Sequence, residues 1–264
     1  MKNDKHPLVI FDLDGTLSDT QEGIKVSVRY ATDILRQSNP SIPQLTEADL
    51  NEFIGPPVYD QLRKIGCTDS EAKEGLRLYR VRYSQPKKTE DTPGMFLSRA
   101  FPEGKKLLEL VSKKYPDWIK TTGTSKPEPW AHVILDKLGL TQLLSSIPHD
   151  NGDEKGFQNN GVFGASFGED RANKESVLNY VLNNVANYFS PDSKWQDVLN
   201  PVLVGDRFHD VCGAKKVGIP VVGVKWGYAV EGELEGKLDY PAADLIAKTP
   251  EEALSAIEKI IQAN

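Results

Sequence analysis

The chain has only two cysteines in 264 residues, Cys67 and Cys212, and they sit in no Cys-x-x-Cys or Cys/His pattern. That excludes a cysteine-rich metal site and a dithiol redox motif, and leaves two reduced structural thiols. Positive charge is also short, because 32 Lys and Arg against 38 Asp and Glu give a formal net charge of -6. The basic footprint required by a nucleic acid polymer or an anionic membrane is therefore missing. No run approaches the roughly 20 apolar residues that span a bilayer. Met1–Pro7 is short and polar and lacks the apolar stretch of a signal peptide. Low-complexity tracts and internal repeats are absent as well. A cytoplasmic location and a small-molecule partner are the resulting expectations.

What is present is an ordinary globular composition, 39% apolar and 27% charged, in a chain long enough for a core with an inserted module. Leu8–Phe11 is a compact apolar run ending in Asp-x-Asp-Gly, which reads as a buried strand with polar residues at its carboxyl end. Pro201–Val204 running into Gly205-Asp206, and Pro220–Val224 running into Lys225-Trp226-Gly227, behave alike. Helical stripes lie between such strands, for example Val177, Leu178, Val181, Leu182 and Val185. Alternating strands and helices predict an α/β core with a doubly wound parallel sheet.

Residues 20–93 differ, showing helical periods without a buried strand. Ile24, Val28, Ala31 and Leu35 mark one helix, Thr46-Glu47-Ala48-Asp49 resembles a helix start, and Ala72, Leu76, Tyr79 and Tyr83 mark another. The polar stretch Gln85–Gly94 reads as a linker back to the sheet. The expected division is a catalytic core of 1–19 and 94–264 with a helical module of 20–93. Within the core, helices are expected around Lys105–Lys114 and Pro129–Leu138, a polar strand around Trp118–Thr122, a further strand at Phe163–Phe167, and a surface loop over His149–Asn160.

The densest chemistry is Asp12-Leu13-Asp14-Gly15-Thr16, directly after the first strand. Two carboxylates leaving a sheet at its carboxyl edge can divide phosphoryl transfer between them, one attacking phosphorus and the other protonating the leaving oxygen. Gly15 permits a sharp turn beside the ligand.

The string Val9-Ile10-Phe11-Asp12-Leu13-Asp14-Gly15-Thr16-Leu17 resembles the first motif of the haloacid dehalogenase superfamily. Thr124-Ser125-Lys126-Pro127 is similar to the second motif, in which a hydroxyl and nearby N–H groups bind phosphoryl oxygens. Lys174, preceded by Arg171, resembles the third, and Gly205-Asp206-Arg207-Phe208-His209-Asp210 the fourth, Gly-Asp-x-x-x-Asp. Phe53-Ile54-Gly55-Pro56-Pro57, Tyr79-Arg80-Val81-Arg82-Tyr83 and Gly223-Val224-Lys225-Trp226-Gly227-Tyr228 place the resemblance in the phosphoglycolate phosphatase-like branch, whose inserted helices form a cap.

The resemblance implies a magnesium-dependent phosphomonoesterase working through an aspartyl phosphate. Asp12, Asp14 and Lys174 become catalytic, while Gly15, Thr124, Ser125 and Lys174 bind phosphate. Asp12, Asp14 (through its carbonyl), Asp206 and Asp210 hold Mg2+, a cation served by a few hard oxygen ligands. Arg80 and Arg82 are candidates for reading the leaving group. The partner is a small phosphorylated metabolite and the protein a monomer or homodimer. A 5′-nucleotidase or pyrophosphatase of the same branch is the next reading. A sugar phosphomutase follows, disfavoured because Val58 stands where some sugar-phosphate relatives carry the Arg of Gly-x-x-Arg. Dehalogenation is disfavoured by the acidic fourth motif, and an inactive binding protein by the filling of all four motifs. His149 and His209 are read as hydrogen-bonded or surface residues, and Trp226 and Tyr228 as packing aromatics.

Overall fold

The computed structural model describes residues 5–85, 92–148, 161–167, 171 and 173–263, and the chain divides into two compact units, Met1–Ser18 with Ala100–Asn264, and Asp19–Arg99. In chain order, β1 (His6–Phe11) and the two-residue β2 (Ser18–Asp19) lead into α1 (Gln21–Ser38), α2 (Glu47–Asn51), α3 (Val58–Lys64) and α4 (Asp69–Ser84). After β3 (Arg99–Ala100) come α5 (Pro102–Lys114), β4 (Ile119–Thr122), β5 (Thr124–Pro127), α6 (Glu128–Lys137) and β6 (Gly164–Ala165). These are followed by α7 (Lys174–Phe189), α8 (Trp195–Val198), β7 (Leu199–Gly205), α9 (Phe208–Val217), β8 (Val221–Val224), β9 (Leu245–Ala247) and α10 (Pro250–Ala263). His149, the loop expected over 149–160 and residues 86–91 of the expected linker lie outside the described residues.

Five strands form one parallel sheet in the order β4-β1-β7-β8-β9. Parallel neighbours require crossover helices, which cover both faces of the sheet. The strand period of two sorts β1 between them. Leu8 and Ile10 pack with Val177, Leu178 and Val181 of α7 and Val211 of α9. Val9 and Phe11 pack on the opposite face with Leu107 and Val111 of α5 and Ile257 of α10. Since β4 lies on one side of β1 and β7 on the other, the strand order reverses at β1. Doubly wound sheets place ligands at the carboxyl ends of strands at such a reversal.

The polar strand forms, at Ile119–Thr122, with the buried Thr122 and Lys120 side chains hydrogen-bonded and the Thr121 hydroxyl unpaired. Thr122 Oγ1 donates to the Phe163 carbonyl and accepts from the Phe163 amide, both at 2.9 Å. The Lys120 ammonium donates to the Pro116 carbonyl at 3.1 Å. The strand expected at Phe163–Phe167 contracts to the two residues of β6 and pairs with β5 outside the main sheet. Its Gly164 amide donates to Glu128 Oε2 at 3.1 Å, and the register breaks before Pro127, which has no amide proton to extend a ladder.

In the smaller unit α1 buries Ile24, Val28, Ala31 and Leu35 as the spacing predicts. Thr46 and Thr68 each start a helix with a reciprocal capping box, to Asp49 and Glu71. On α4, Ala72, Tyr79 and Tyr83 are buried, but Leu78 takes the central place expected of Leu76, which is half-buried. Gly75 explains the rotation, since a Cβ there would press on Leu62 and Leu35, so the closest helix contact is centred on it. The contact boundary falls at Arg99, beyond Gly94, because the 3₁₀ turn Gly94–Leu97 packs on α1. Gly94 and Gly23 come so close that a Cβ on either would strike the other's carbonyl. Among the described residues no helix is long and apolar enough to cross a membrane.

Candidate active site

Asp12 follows the last residue of β1, and its amide continues the sheet ladder by donating to the Val204 carbonyl at 2.9 Å. The chain then turns tightly, with Gly15 at φ +85° and its amide donating to the Ser18 carbonyl at 2.9 Å. Asp206 follows β7 in the same way, and Asp210 lies in the first turn of α9. Lys174 is the first residue of α7, whose Asn173 cap accepts from the Ser176 amide at 3.0 Å. Strand ends and helix starts from three stretches of sequence thus meet at one edge of the sheet.

The buried Lys174 ammonium is the centre of this meeting. Its Nζ lies 2.9 Å from Asp12 Oδ1 and 2.7 Å from Asp210 Oδ1, and it donates to the Gly123 carbonyl at 2.9 Å. Asp210 also accepts from the Arg207 amide through Oδ2 at 3.0 Å, which fixes the start of α9. Asp206 is fully buried and accepts from the Tyr228 amide at 2.7 Å and from Thr16 Oγ1 at 3.3 Å.

Charge in this pocket is only partly balanced. Burial raises the Asp12 carboxyl above its usual range, and Asp210 raises it further against the pull of Lys174. Burial raises Asp206 well above the usual value, reinforced by Asp210 and Asp12. Burial alone would depress the Lys174 ammonium, but Asp12 and Asp210 outweigh it and hold its pKa above the ordinary value. Lys174 within the cluster and Arg207 beside it only partly offset three buried carboxylates in a medium that screens charge poorly.

That excess is what a hard cation would neutralise. Asp12, Asp206 and Asp210 each offer an oxygen, all within 4.8 Å of one another. Oxygen-only donors suit a magnesium-like ion. The surroundings fit too, since a Cβ on Gly15 or on Gly227 would overlap the Asp206 carboxylate, so glycine at both positions keeps the space around that acid clear. The Asp14 side chain stands outside the cluster, with Oδ2 2.9 Å from Lys126 Nζ.

The other expected residues are distributed unevenly. Thr124 is buried, whereas Ser125 is exposed on β5, so the two hydroxyls do not share one environment. Arg80 and Arg82 lie on α4 of the smaller unit, where Arg82 donates to the Thr92 carbonyl at 2.7 Å. An open cleft of about 370 Å³ in that unit is lined by Asp19, Glu22, Lys25, Arg29 and Glu47, but both cations are paired with Glu47. Arg171 lies over the Tyr180 ring, 3.9 Å from its centroid. The His209 ring lies 3.8 Å from that of Phe208, tilted by 34°, and burial, with Arg207 and Lys174 nearby, lowers its pKa.

Five further residues support the site without being assigned a role in it by the sequence. Lys126 was only part of a motif string, yet it reaches Asp14. Thr16 and the Tyr228 amide hold Asp206, while Trp226, read as packing, donates from Nε1 to the Thr16 carbonyl at 3.0 Å. Glu233, 1% exposed, accepts from Arg207 Nε at 2.8 Å and the Phe208 amide at 2.7 Å, bracing the fourth motif from the loop after β8. Only the run Gly223–Tyr228 hinted that this loop belongs to the site.

A parallel α/β core with acids and one lysine gathered at its carboxyl edge defines an enzyme of the phosphate-handling α/β class. Residues 9–150 match the model of the haloacid dehalogenase-like hydrolases, and the chain belongs to that family. It is 28% identical over 246 residues to a 5′-nucleotidase of Pseudomonas aeruginosa, covering 92% of this chain and 94% of that protein. It is 25% identical over 246 residues to a phosphoglycolate phosphatase of Agrobacterium fabrum, covering 92% and 91%. The tyrosine-protein kinase PtkA of Mycobacterium tuberculosis is 34% identical over 222 residues, 84% of this chain but 62% of that protein. The solved PtkA structure superposes with a TM-score of 0.69 at 29% identity, covering 96% of this chain and 99% of that one. The family and its phosphatase-named members make this chain a hydrolase of phosphate monoesters.

A raised folded pKa for Asp12 and Asp206 means that the folded state retains their protons more readily than the unfolded chain. Their neutral forms contribute stability that is complete below the ordinary carboxyl range and lost as pH rises through the raised values. A bound divalent cation reverses this, because it requires the ionised forms. The increment in Tm produced by magnesium over chelator should therefore grow from pH 5 to pH 8. Differential scanning fluorimetry at matched ionic strength checks it, and an increment that is flat or falls with pH contradicts the cluster as the cation's site.

Proposed function

We propose that the chain is a magnesium-dependent phosphomonoesterase of the phosphoglycolate phosphatase-like branch, acting on a small phosphorylated metabolite through a phosphorylated Asp12. The observation that carries this reading is the division between the two acids of one turn. Asp12 lies inside the buried cluster on Lys174, and Asp14 lies apart from it on Lys126. Those placements suit a nucleophile and a proton carrier respectively.

In the first step an Asp12 carboxylate oxygen attacks phosphorus, the ester P–O bond breaks, and Asp14 gives its proton to the leaving oxygen. In the second, Asp14 takes a proton from water as that water attacks phosphorus, and the bond to Asp12 breaks to release phosphate. Lys174 holds Asp12 and balances part of its charge throughout, and Thr124 and the amides around it receive phosphoryl oxygens. Mg2+, held by Asp12, Asp206, Asp210 and the Asp14 carbonyl, would neutralise the charge that gathers on the phosphoryl group.

Asp12→Asn should abolish turnover and the hydroxylamine-sensitive phosphoenzyme together. Asp14→Asn should slow an alkyl phosphate by about 10²–10⁴-fold while an activated aryl phosphate keeps more of its first step. Burst kinetics on both variants check this. A phosphoenzyme surviving Asp12→Asn, or an Asp14→Asn defect blind to the leaving group, contradicts the assignment.

The smaller helical unit is proposed to choose among leaving groups. Arg80→Ala and Arg82→Ala should then reorder the ranking of phosphorylated metabolites while leaving aryl phosphate turnover within about threefold, about 0.6 kcal/mol in barrier. An unchanged ranking in a metabolite screen argues against these two side chains as readers.

A further inference from the structure

We infer that Lys126 is a positioning residue for the proposed hydrolysis, gripping the Asp14 carboxylate so that it meets the leaving oxygen. The inference rests on the phosphomonoesterase reading and adds a second lysine to it. Lys126 Nζ lies 2.9 Å from Asp14 Oδ2, with the Lys126 side chain 5% exposed and that of Asp14 23% exposed. This is no solvated surface pair, in which a flexible lysine gains little by pairing. The stem is confined and the ammonium is withdrawn from water, so its geometry is set by its surroundings.

The need for such a grip follows from how Asp14 is built into the fold. Its backbone is fixed by the turn, through Gly15 N–H to the Ser18 carbonyl and Leu17 N–H to the Leu13 carbonyl at 2.9 and 3.0 Å. A fixed backbone still leaves the carboxylate free to rotate about χ1 and χ2. The Lys174 cluster holds Asp12 and Asp210, and Lys126 holds Asp14 from β5, a separate stretch of chain. Burial alternates there, with Thr124 and Lys126 buried and Ser125 exposed, and the Lys126 amide donates to Thr124 Oγ1 at 3.2 Å. The tether for the proton carrier and the hydroxyl assigned to phosphate are thus parts of one short segment. Orientation to within a fraction of an ångström governs the rate of proton transfer, so a carboxylate gripped by a buried ammonium is placed for that step.

The test is a double-mutant cycle between Lys126→Met and Asp14→Asn, read as the ratio of alkyl to aryl phosphate kcat. Methionine keeps most of the stem's volume while removing the ammonium. Wild-type turnover of both esters with a phosphoenzyme burst establishes the underlying reading first; absence of turnover on either ester counts against that reading and is distinct from any result on Lys126. Given the burst, Lys126→Met should lower the alkyl-to-aryl ratio at least about tenfold with KM little changed. It should lower the ratio no further in the Asp14→Asn background. Lys126→Arg, which restores charge and donors at a different reach, should recover part of the ratio, and it serves alone if the methionine variant does not fold. An equal loss on both esters, a rise in KM alone, additive effects in the cycle, or an arginine variant no better than methionine would each overturn the proposal.

Discussion

Three carboxylates buried around a single ammonium are the constraint on which the rest of the molecule depends. Each acid withdrawn from water costs several kcal/mol unless opposed by charge, and Lys174 opposes Asp12 and Asp210 directly at 2.9 and 2.7 Å. Asp206 is opposed by hydrogen bonds from Tyr228 and Thr16 and, more weakly, by the charge of Arg207. The site is therefore under-compensated by construction. That imbalance disfavours the ionised acids in isolation and makes the cluster receptive to a cation, which in turn makes it tolerant of a phosphate.

The fold serves this cluster. β1 and β7 are neighbours in the sheet, paired from His6↔Leu199 to Phe11↔Val204, so their carboxyl ends deliver Asp12 and Asp206 side by side. Helices α7 and α9 cover the same face of the sheet, and their first turns bring Lys174 and Asp210 to the same edge. The loop after β8 closes the back of the site through Trp226, Gly227, the Tyr228 amide and Glu233. Rigidity comes from the two-sided core, and reactivity comes from what that core forces together at its rim.

Much of this was legible in the chain because it is encoded locally. The run Val9–Asp14 states a buried strand and its terminal acids in consecutive residues, and Pro201–Asp206 does the same. The α7 stripe and the Thr46 helix start are local too, and both formed where the sequence places them. What was not legible depends on pairing across the chain. Nothing adjacent to Lys126 says that its ammonium meets Asp14, 112 positions earlier by subtraction of the residue numbers. Gly227 looks like any turn glycine, yet a Cβ there would overlap Asp206. The strand at Phe163–Phe167 misled for a related reason, since its length was decided by the partners Glu128 and Pro127 and not by its own apolar residues.

The proposed course transfers the phosphoryl group twice, first to Asp12 and then to water. Each in-line displacement inverts the configuration at phosphorus, so two displacements restore it, whereas direct attack by water inverts it once. The decisive measurement is the stereochemical course of hydrolysis of a chiral, isotopically labelled phosphorothioate monoester in labelled water. Overall retention is the predicted result, and overall inversion would contradict a covalent intermediate on Asp12.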